Sequence, residues 1–261
     1  LVLTSALTLT ACGGTSGATS QAGADDVTTV RVAVTPVPHA TILEFVDEEL
    51  AAVAGIDIEI VEFTDYVQPN VALDEGSVDA NYYQHGVFLA DQSQAAGYDF
   101  TGLATISFQP MGLYSERLDD LASVPDGATV AIPNDPVNGS RGLKLLAAEG
   151  LITLADPDAT VPTVLDIEEN PRDLRIEEVE APQLPRSIAD VDIAAVPGNF
   201  ALDADLKPSE DALVTEDTSD TTYANQLVVR AGEEDDPALQ TLLELLTSEE
   251  VRRFIDETYD G

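Results

Sequence analysis

The sequence is short of most of the residues and patterns by which chemistry announces itself. It has one cysteine, Cys12, so no disulfide can form within the chain. It has no tryptophan, one methionine and only two lysines, Lys144 and Lys207. Cations of both kinds number 11 against 49 Asp and Glu, a formal net charge of −38. A surface so negative repels phosphate backbones and anionic lipid heads, which excludes nucleic acid as a partner. The apolar opening stretch LVLTSALTLTA is eleven residues, too short to cross a bilayer as a helix. There is no G-x-S-x-G elbow, P-loop or G-x-G-x-x-G. The two histidines, His39 and His85, stand 46 residues apart without an HxH, HExxH or cysteine partner. Hydrolytic, nucleotide-dependent and redox chemistry therefore have nothing specific behind them, and the chain reads as a non-enzyme that needs no cofactor.

What is present starts with length and apolar content. At 261 residues and 44% hydrophobic, the chain can bury one large or two medium cores. Its acids are spread over the sequence rather than gathered in a tail, which fits a surface adapted to salt or one making many weak cation contacts. Screening relieves self-repulsion, so the thermal midpoint is expected to rise between low salt and molar sodium or potassium chloride; a flat or falling midpoint in calorimetry would count against a salt-adapted surface. Residues 1–11 read as the apolar part of a secretion signal, and Leu9-Thr10-Ala11-Cys12 matches a lipoprotein signal-peptidase box. Lipidation gives the lone cysteine a reason. Residues 12–29, rich in Gly, Ser, Thr and Ala, then read as a lipid-bearing cysteine and a flexible tether.

From Val30 onward strands and helices alternate, which predicts an α/β fold with mostly parallel sheets. Strands are expected at 30–34, 56–63, 103–109, 112–115, 129–133, 175–179, 193–196 and 223–230. His39 opens a helix with Leu43, Val46, Leu50 and Val53 on one face and Gly55 at its end. Short helices are expected at 118–124, 162–167 and 183–189, an acid-rich polar excursion at 203–220, and two closing helices at 237–246 and 249–259, the latter with Val251, Phe254, Ile255 and Thr258 inward.

One segment stands out, Thr129–Ile152, written TVAIPNDPVNGSRGLKLLAAEGLI. A buried strand runs into a polar turn and then a helix whose first turn carries Arg141. Unpaired N–H groups and the helix dipole suit such a place to a carboxylate, unless it is an ordinary connection with a solvated arginine. Tyr66, Tyr82, Tyr83 and Phe88 cluster in loops and can line a cleft or fill a core; adjacent Tyr82 and Tyr83 face opposite sides of a strand, so at most one enters a given pocket. Asn225 can donate and accept at once, as a zwitterion would require.

These residues carry a family. Val32–Ile42 (VAVTPVPHATI), Val61–Pro69 (VEFTDYVQP), Val78–Phe88 (VDANYYQHGVF), Phe108–Ser115 (FQPMGLYS), Ile132–Gly142 (IPNDPVNGSRG), Val191–Phe200 (VDIAAVPGNF) and Tyr223–Arg230 resemble the methionine-binding lipoproteins of methionine ABC importers. The resemblance implies a two-lobed, periplasmic-binding-protein-like (type II) fold with the ligand cleft between lobes. The lobes are expected at 30–112 plus 223–261 and at 113–222, with crossings near Met111–Tyr114 and Asp220–Ala224. It implies capture of methionine, delivery to the importer's permease subunits, and anchorage on the outer face of the cytoplasmic membrane through lipid on Cys12. Residues matching the family's site are Arg141 for the ligand carboxylate, Asn225, and the cleft-lining Tyr66, Tyr83, His85 and Asn199. Backbone N–H groups of the Asn138–Arg141 turn are expected to help hold the carboxylate. The family's later segment usually reads Ile-Asn-Gly-Asn-Tyr; here it is Val196-Pro-Gly-Asn-Phe200. Rival readings are the same build binding another hydrophobic amino acid or a methionyl dipeptide, and, from another class, a metal-binding surface protein using His85 and His39.

Overall fold

The computed structural model describes residues 27–259. The apolar stretch 1–11, Cys12 and nearly all of the tether lie outside the described residues. In chain order the strands are β1 (Thr28–Val34), β2 (Ile56–Glu62), β3 (Ala80–His85), β4 (Phe100–Ser107), β5 (Gly112–Tyr114), β6 (Thr129–Pro133), β7 (Thr153–Leu154), β8 (Ile167–Glu169), β9 (Arg175–Val179), β10 (Ile193–Val196), β11 (Val214–Thr215) and β12 (Asn225–Arg230).

They form two five-stranded sheets, ordered β2-β1-β3-β12-β4 and β11-β5-β10-β6-β9, and a small β7–β8 pair. In the first sheet β1, β2 and β3 run parallel and β12 is antiparallel to both its neighbours. In the second β6, β9 and β10 run parallel, with β5 antiparallel to β10 and β11. The chain passes between sheets twice, from β4 to β5 and from β11 back to β12. This is a two-lobed α/β fold. Each sheet is covered on both faces near its centre, so β1, β6 and β10 are largely apolar on both sides, whereas the edge strands β2 and β9 alternate between inward and outward residues. One face of the first sheet packs Val30, Val32 and Val34 against Ile42, Leu43, Val46, Leu242 and Leu246; the other packs Ala33 and Val228 against Ala72 and Leu73.

Several details differ from the sequence expectation. The two large sheets are evenly mixed, four parallel strand pairs and four antiparallel, rather than mostly parallel. The helix expected at 162–167 is a single 3-10 turn at Val164–Asp166 leading into β8. In the first long helix the segment Asp47–Ala51 is wound in π fashion. A wider turn delays the face, so Ala51, five residues after Val46, takes the inward place, while Val53 is 93% exposed. The acid-rich stretch 203–220 is not a mere excursion: it holds the short helix Pro208–Asp211 and the edge strand β11. In the closing helix Thr258 faces outward and Tyr259 is the half-buried residue.

Each sheet reverses its strand order once. β2 and β3 lie on opposite sides of β1, and β9 and β10 on opposite sides of β6. A crevice forms at the carboxyl ends of strands where such a reversal occurs. The two reversals face one another across the crossings, and the cleft lies between them.

Candidate ligand-binding site

All seven residues singled out in the sequence, Tyr66, Tyr83, His85, Asn138, Arg141, Asn199 and Asn225, line one cleft, together with Gln84, Phe88, Gln109, Pro197, Gly198 and Tyr223. The cleft is drawn nearly shut, with only about 20 Å³ free to the centre of a water-sized molecule, about the room one water needs. Tyr83 and His85 sit at the end of β3, while Tyr82 points the other way, into the core of the first lobe. The alternation read from the sequence holds.

The helix bearing Arg141 runs Pro136–Ala148, with Asp135 as its N-cap and Pro136 in the first position, where the missing N–H costs nothing. Arg141 therefore stands in the second turn, not the first. The expected anion site at the helix start is already occupied from within. Asp135 Oδ1 accepts the Asn138 N–H at 2.8 Å, and the Asp135 carbonyl accepts the Gly139 N–H at 2.8 Å. The backbone of the Asn138–Arg141 turn is thus committed to the helix and its cap rather than to a ligand. Burial, before any other influence, pushes the Asp135 carboxyl above its usual range. Gly139 matters here because a Cβ would meet the Pro133 carbonyl at 2.7 Å. Without one the helix lies against the end of β6, and its second turn reaches the cleft.

Arg141 is buried, 5% exposed, and its guanidinium is largely engaged. Nε donates to Glu216 Oε1 at 2.9 Å and Nη2 to Glu216 Oε2 at 2.5 Å. Nη2 also reaches the Gln109 carbonyl at 3.4 Å, and Nη1 donates to Asn138 Oδ1 at 3.1 Å. The guanidinium carbon lies 4.5 Å from the centre of the Tyr223 ring, a cation–π contact. Of five N–H donors, one on Nη1 is left over. A ligand carboxylate would meet one end of Arg141, not its fork. Asn138, whose amide nitrogen donates to both Asp135 oxygens at 3.1 Å, positions Arg141 through its own Oδ1.

His85 caps the next helix by accepting the Phe88 N–H on Nδ1 at 3.2 Å, so its hydrogen sits on Nε2. That Nε2 is buried without a partner. Burial first, and the Arg141 charge second, lower His85 to about 3, so the ring is a neutral donor at any ordinary pH. Asn225, at the start of β12, gives its amide hydrogens to His39 Nε2 at 2.8 Å and Gln109 Oε1 at 2.6 Å. The apolar wall is Tyr66, Tyr83, Phe88 and Val137, packed as one cluster across the lobes. The Tyr66 hydroxyl donates to Asn199 Oδ1 at 2.5 Å, and its ring lies 4.9 Å from that of Phe200. Burial raises both Tyr66 and Tyr83 well above an ordinary phenol, so they remain donors.

Glu216, Gln109, Tyr223 and Gln84 were not read from the sequence as site residues. Glu216 is hidden among 49 acids; only the β-branched pair Val214-Thr215 before it hinted at a strand that would fix its place. The rival metal reading gains nothing. Among the described residues no three His, Cys, Asp or Glu side chains come together as a ligand set, and both ring nitrogens of His39 are hydrogen-bonded.

Known proteins give the same picture. D-methionine-binding lipoprotein MetQ of Escherichia coli K12 is 39% identical over 209 residues, 79% of this chain and 77% of the relative. Outer membrane lipoprotein 2 of Mannheimia haemolytica is 35% identical over 263 residues, 100% of this chain and 95% of the relative. A nutrient-binding protein from Burkholderia cenocepacia, solved bound to methionine, superposes with a TM-score of 0.85 at 39% identity, covering 89% of this chain and 97% of that one. The profile of the NlpA lipoproteins matches residues 30–261. With fold and sequence in agreement over nearly all of the described chain, the chain belongs to the NlpA lipoprotein family.

Proposed function

We propose that this protein captures free methionine outside the cytoplasm and hands it to the permease of an ABC importer, without catalysing a reaction. The observation that carries the reading is the pairing of unlike walls in one small cleft. On one side the spare Nη1–H of Arg141 and the Nε2–H of His85 are two donors fit for a carboxylate. On the other, Tyr66, Tyr83 and Phe88 form an aromatic slot fit for a thioether side chain. Asn225 and Asn199 stand between them for the polar end of an amino acid. The lobes we assign, expected at 30–112 with 223–261 and at 113–222, shift by two residues at the first boundary, because Met111 packs in the second core and Gly112 belongs to β5. Delivery to permease subunits and anchorage by lipid on Cys12 belong to the same proposal, supported by family membership and the Leu9-Thr10-Ala11-Cys12 sequence.

Pro197 and Phe200 replace the Asn and Tyr usual in the resembled segment. Pro197 caps the helix Gly198–Asp203, and Phe200 packs on Tyr66. Both support the apolar wall, which leaves the aromatic slot in place. Calorimetric titration with L- and D-methionine tests the reading. Saturable one-to-one binding of either enantiomer is expected; no heat with both, alongside saturable binding of leucine or a methionyl dipeptide, would move the assignment to that ligand.

A further inference from the structure

Behind the cleft, a line of buried side chains ends on Asn225. His39 lies between the end of β1 and the first long helix, with no exposed surface. Its Nδ1 is 2.7 Å from Thr35 Oγ1 and its Nε2 is 2.8 Å from Asn225 Nδ2. The Tyr82 ring stands edge-on to the imidazole, centroids 4.8 Å apart, and fixes its plane. Asn225 Nδ2 gives its second hydrogen to Gln109 Oε1 at 2.6 Å. Gln109 is held in turn, its Nε2 donating to Ser107 Oγ at 2.8 Å, and Ser107 is bonded to the Tyr82 hydroxyl.

An asparagine amide has two orientations of almost equal shape and opposite polarity, so its neighbours decide which end a ligand meets. Here the neighbours present acceptors. Burial lowers His39 to about 3, so the ring is neutral: one nitrogen donates and the other accepts. With Nε2 accepting from Asn225, the hydrogen is on Nδ1 and goes to Thr35. Both Asn225 hydrogens are then used behind the cleft, and Oδ1 is the atom left for a ligand. We infer that His39, aided by Gln109, is a specificity-determining positioning residue that turns the Asn225 amide oxygen toward the cleft, so that the site selects a ligand carrying an α-ammonium donor. The inference rests on the amino-acid reading of the cleft. A ligand without the amine would leave Oδ1 desolvated and unpaired, the situation in which binding sites discriminate most strongly.

The test compares methionine with 4-(methylthio)butanoate, the same molecule lacking its amine, by calorimetry on folded protein. The parent should prefer methionine by at least about 100-fold. His39→Leu removes the acceptor and should cut that preference at least tenfold. His39→Gln, whose Oε1 can take the place of Nε2, should keep it within about threefold. Thr35→Val is nearly isosteric and covers a failure of His39→Leu to fold: it frees the imidazole hydrogen to move to Nε2 and should lower the preference about fivefold. A merely structural role would weaken both ligands alike and leave the ratio unchanged. An unchanged ratio in folded His39→Leu, or in Thr35→Val where His39→Leu does not fold, overturns the inference while methionine binding by the parent stands. Equal binding of the two ligands by the parent also overturns it. A parent that binds no methionine overturns the amino-acid reading itself, and the inference falls with it.

Discussion

Arg141→Ala is expected to weaken methionine binding at least 30-fold and also to destabilise the protein by about 3–5 kcal/mol. The first effect follows from loss of a charge-assisted hydrogen bond inside a closed cleft, which costs roughly 2–5 kcal/mol. The second follows from Glu216. Its carboxylate is 13% exposed, accepts Nε and Nη2 of Arg141, and also accepts the Met111 N–H at 2.8 Å. Removing the arginine leaves that charge buried and unpaired, which is the expensive way to break an ion pair. From sequence, Arg141 reads as a first-turn helix residue facing a ligand or solvent; the geometry makes it a tie between the second lobe and both crossings. The two roles separate in the double variant Arg141→Ala with Glu216→Gln, which should regain more than half of the lost stability and none of the affinity. Urea unfolding and calorimetric titration of the single and double variants measure both. Binding within about threefold of the parent would show that the carboxylate meets some other donor.

Between pH 8 and pH 5 the protein is expected to lose about 4 kcal/mol of stability while its affinity for methionine hardly changes. His39 and His85 are both lowered to about 3, each chiefly by burial, against an ordinary 6.5. The folded state keeps them neutral while the unfolded chain takes up protons. Their contribution is fully present above pH 6.5 and is lost as pH falls toward 3, at about 2 kcal/mol for each histidine by pH 5. Asp135 acts in the opposite sense, since its raised carboxyl gains a proton more readily in the folded protein. It is one group against two. Urea unfolding at pH 8 and pH 5, in molar salt to screen the surface charge, measures the sum; His39→Gln should remove about half of the loss. Stability that is level across this range would mean that the imidazoles are protonated in the fold. Affinity should hold because neither ring gains a charge between these pH values.

Much of this arrangement was legible before the fold. Alternation put Tyr82 and Tyr83 on opposite faces, so that at most one could enter the cleft, and the strand, Asn-Asp-Pro turn and helix around Arg141 located the site. Asp135-Pro136 also announces an N-cap and first helical position, which would have told that the helix start was already filled by its own carboxylate. The remainder depended on partners distant in sequence. Glu216 lies 75 residues from Arg141 and Asn225 lies 186 from His39. No local pattern links such pairs, and in a chain this acidic no single glutamate stands out. The π-wound turn at Asp47–Ala51 leaves no mark in the hydrophobic period that precedes it, so Val53 was placed on the wrong face.

With Tyr66 bonded to Asn199 of the other lobe and lying against Phe200, the cleft has no room for an amino acid. Entry and exit must wait for the lobes to part. The time a ligand stays then depends on how often the lobes open around it, a motion on the microsecond-to-millisecond scale, and each bond the ligand makes in the closed cleft makes opening rarer. Capture slows by the same device, in proportion to the fraction of molecules standing open. The Tyr66–Asn199 bond is one of the contacts that must break each time the cleft opens and form again each time it shuts.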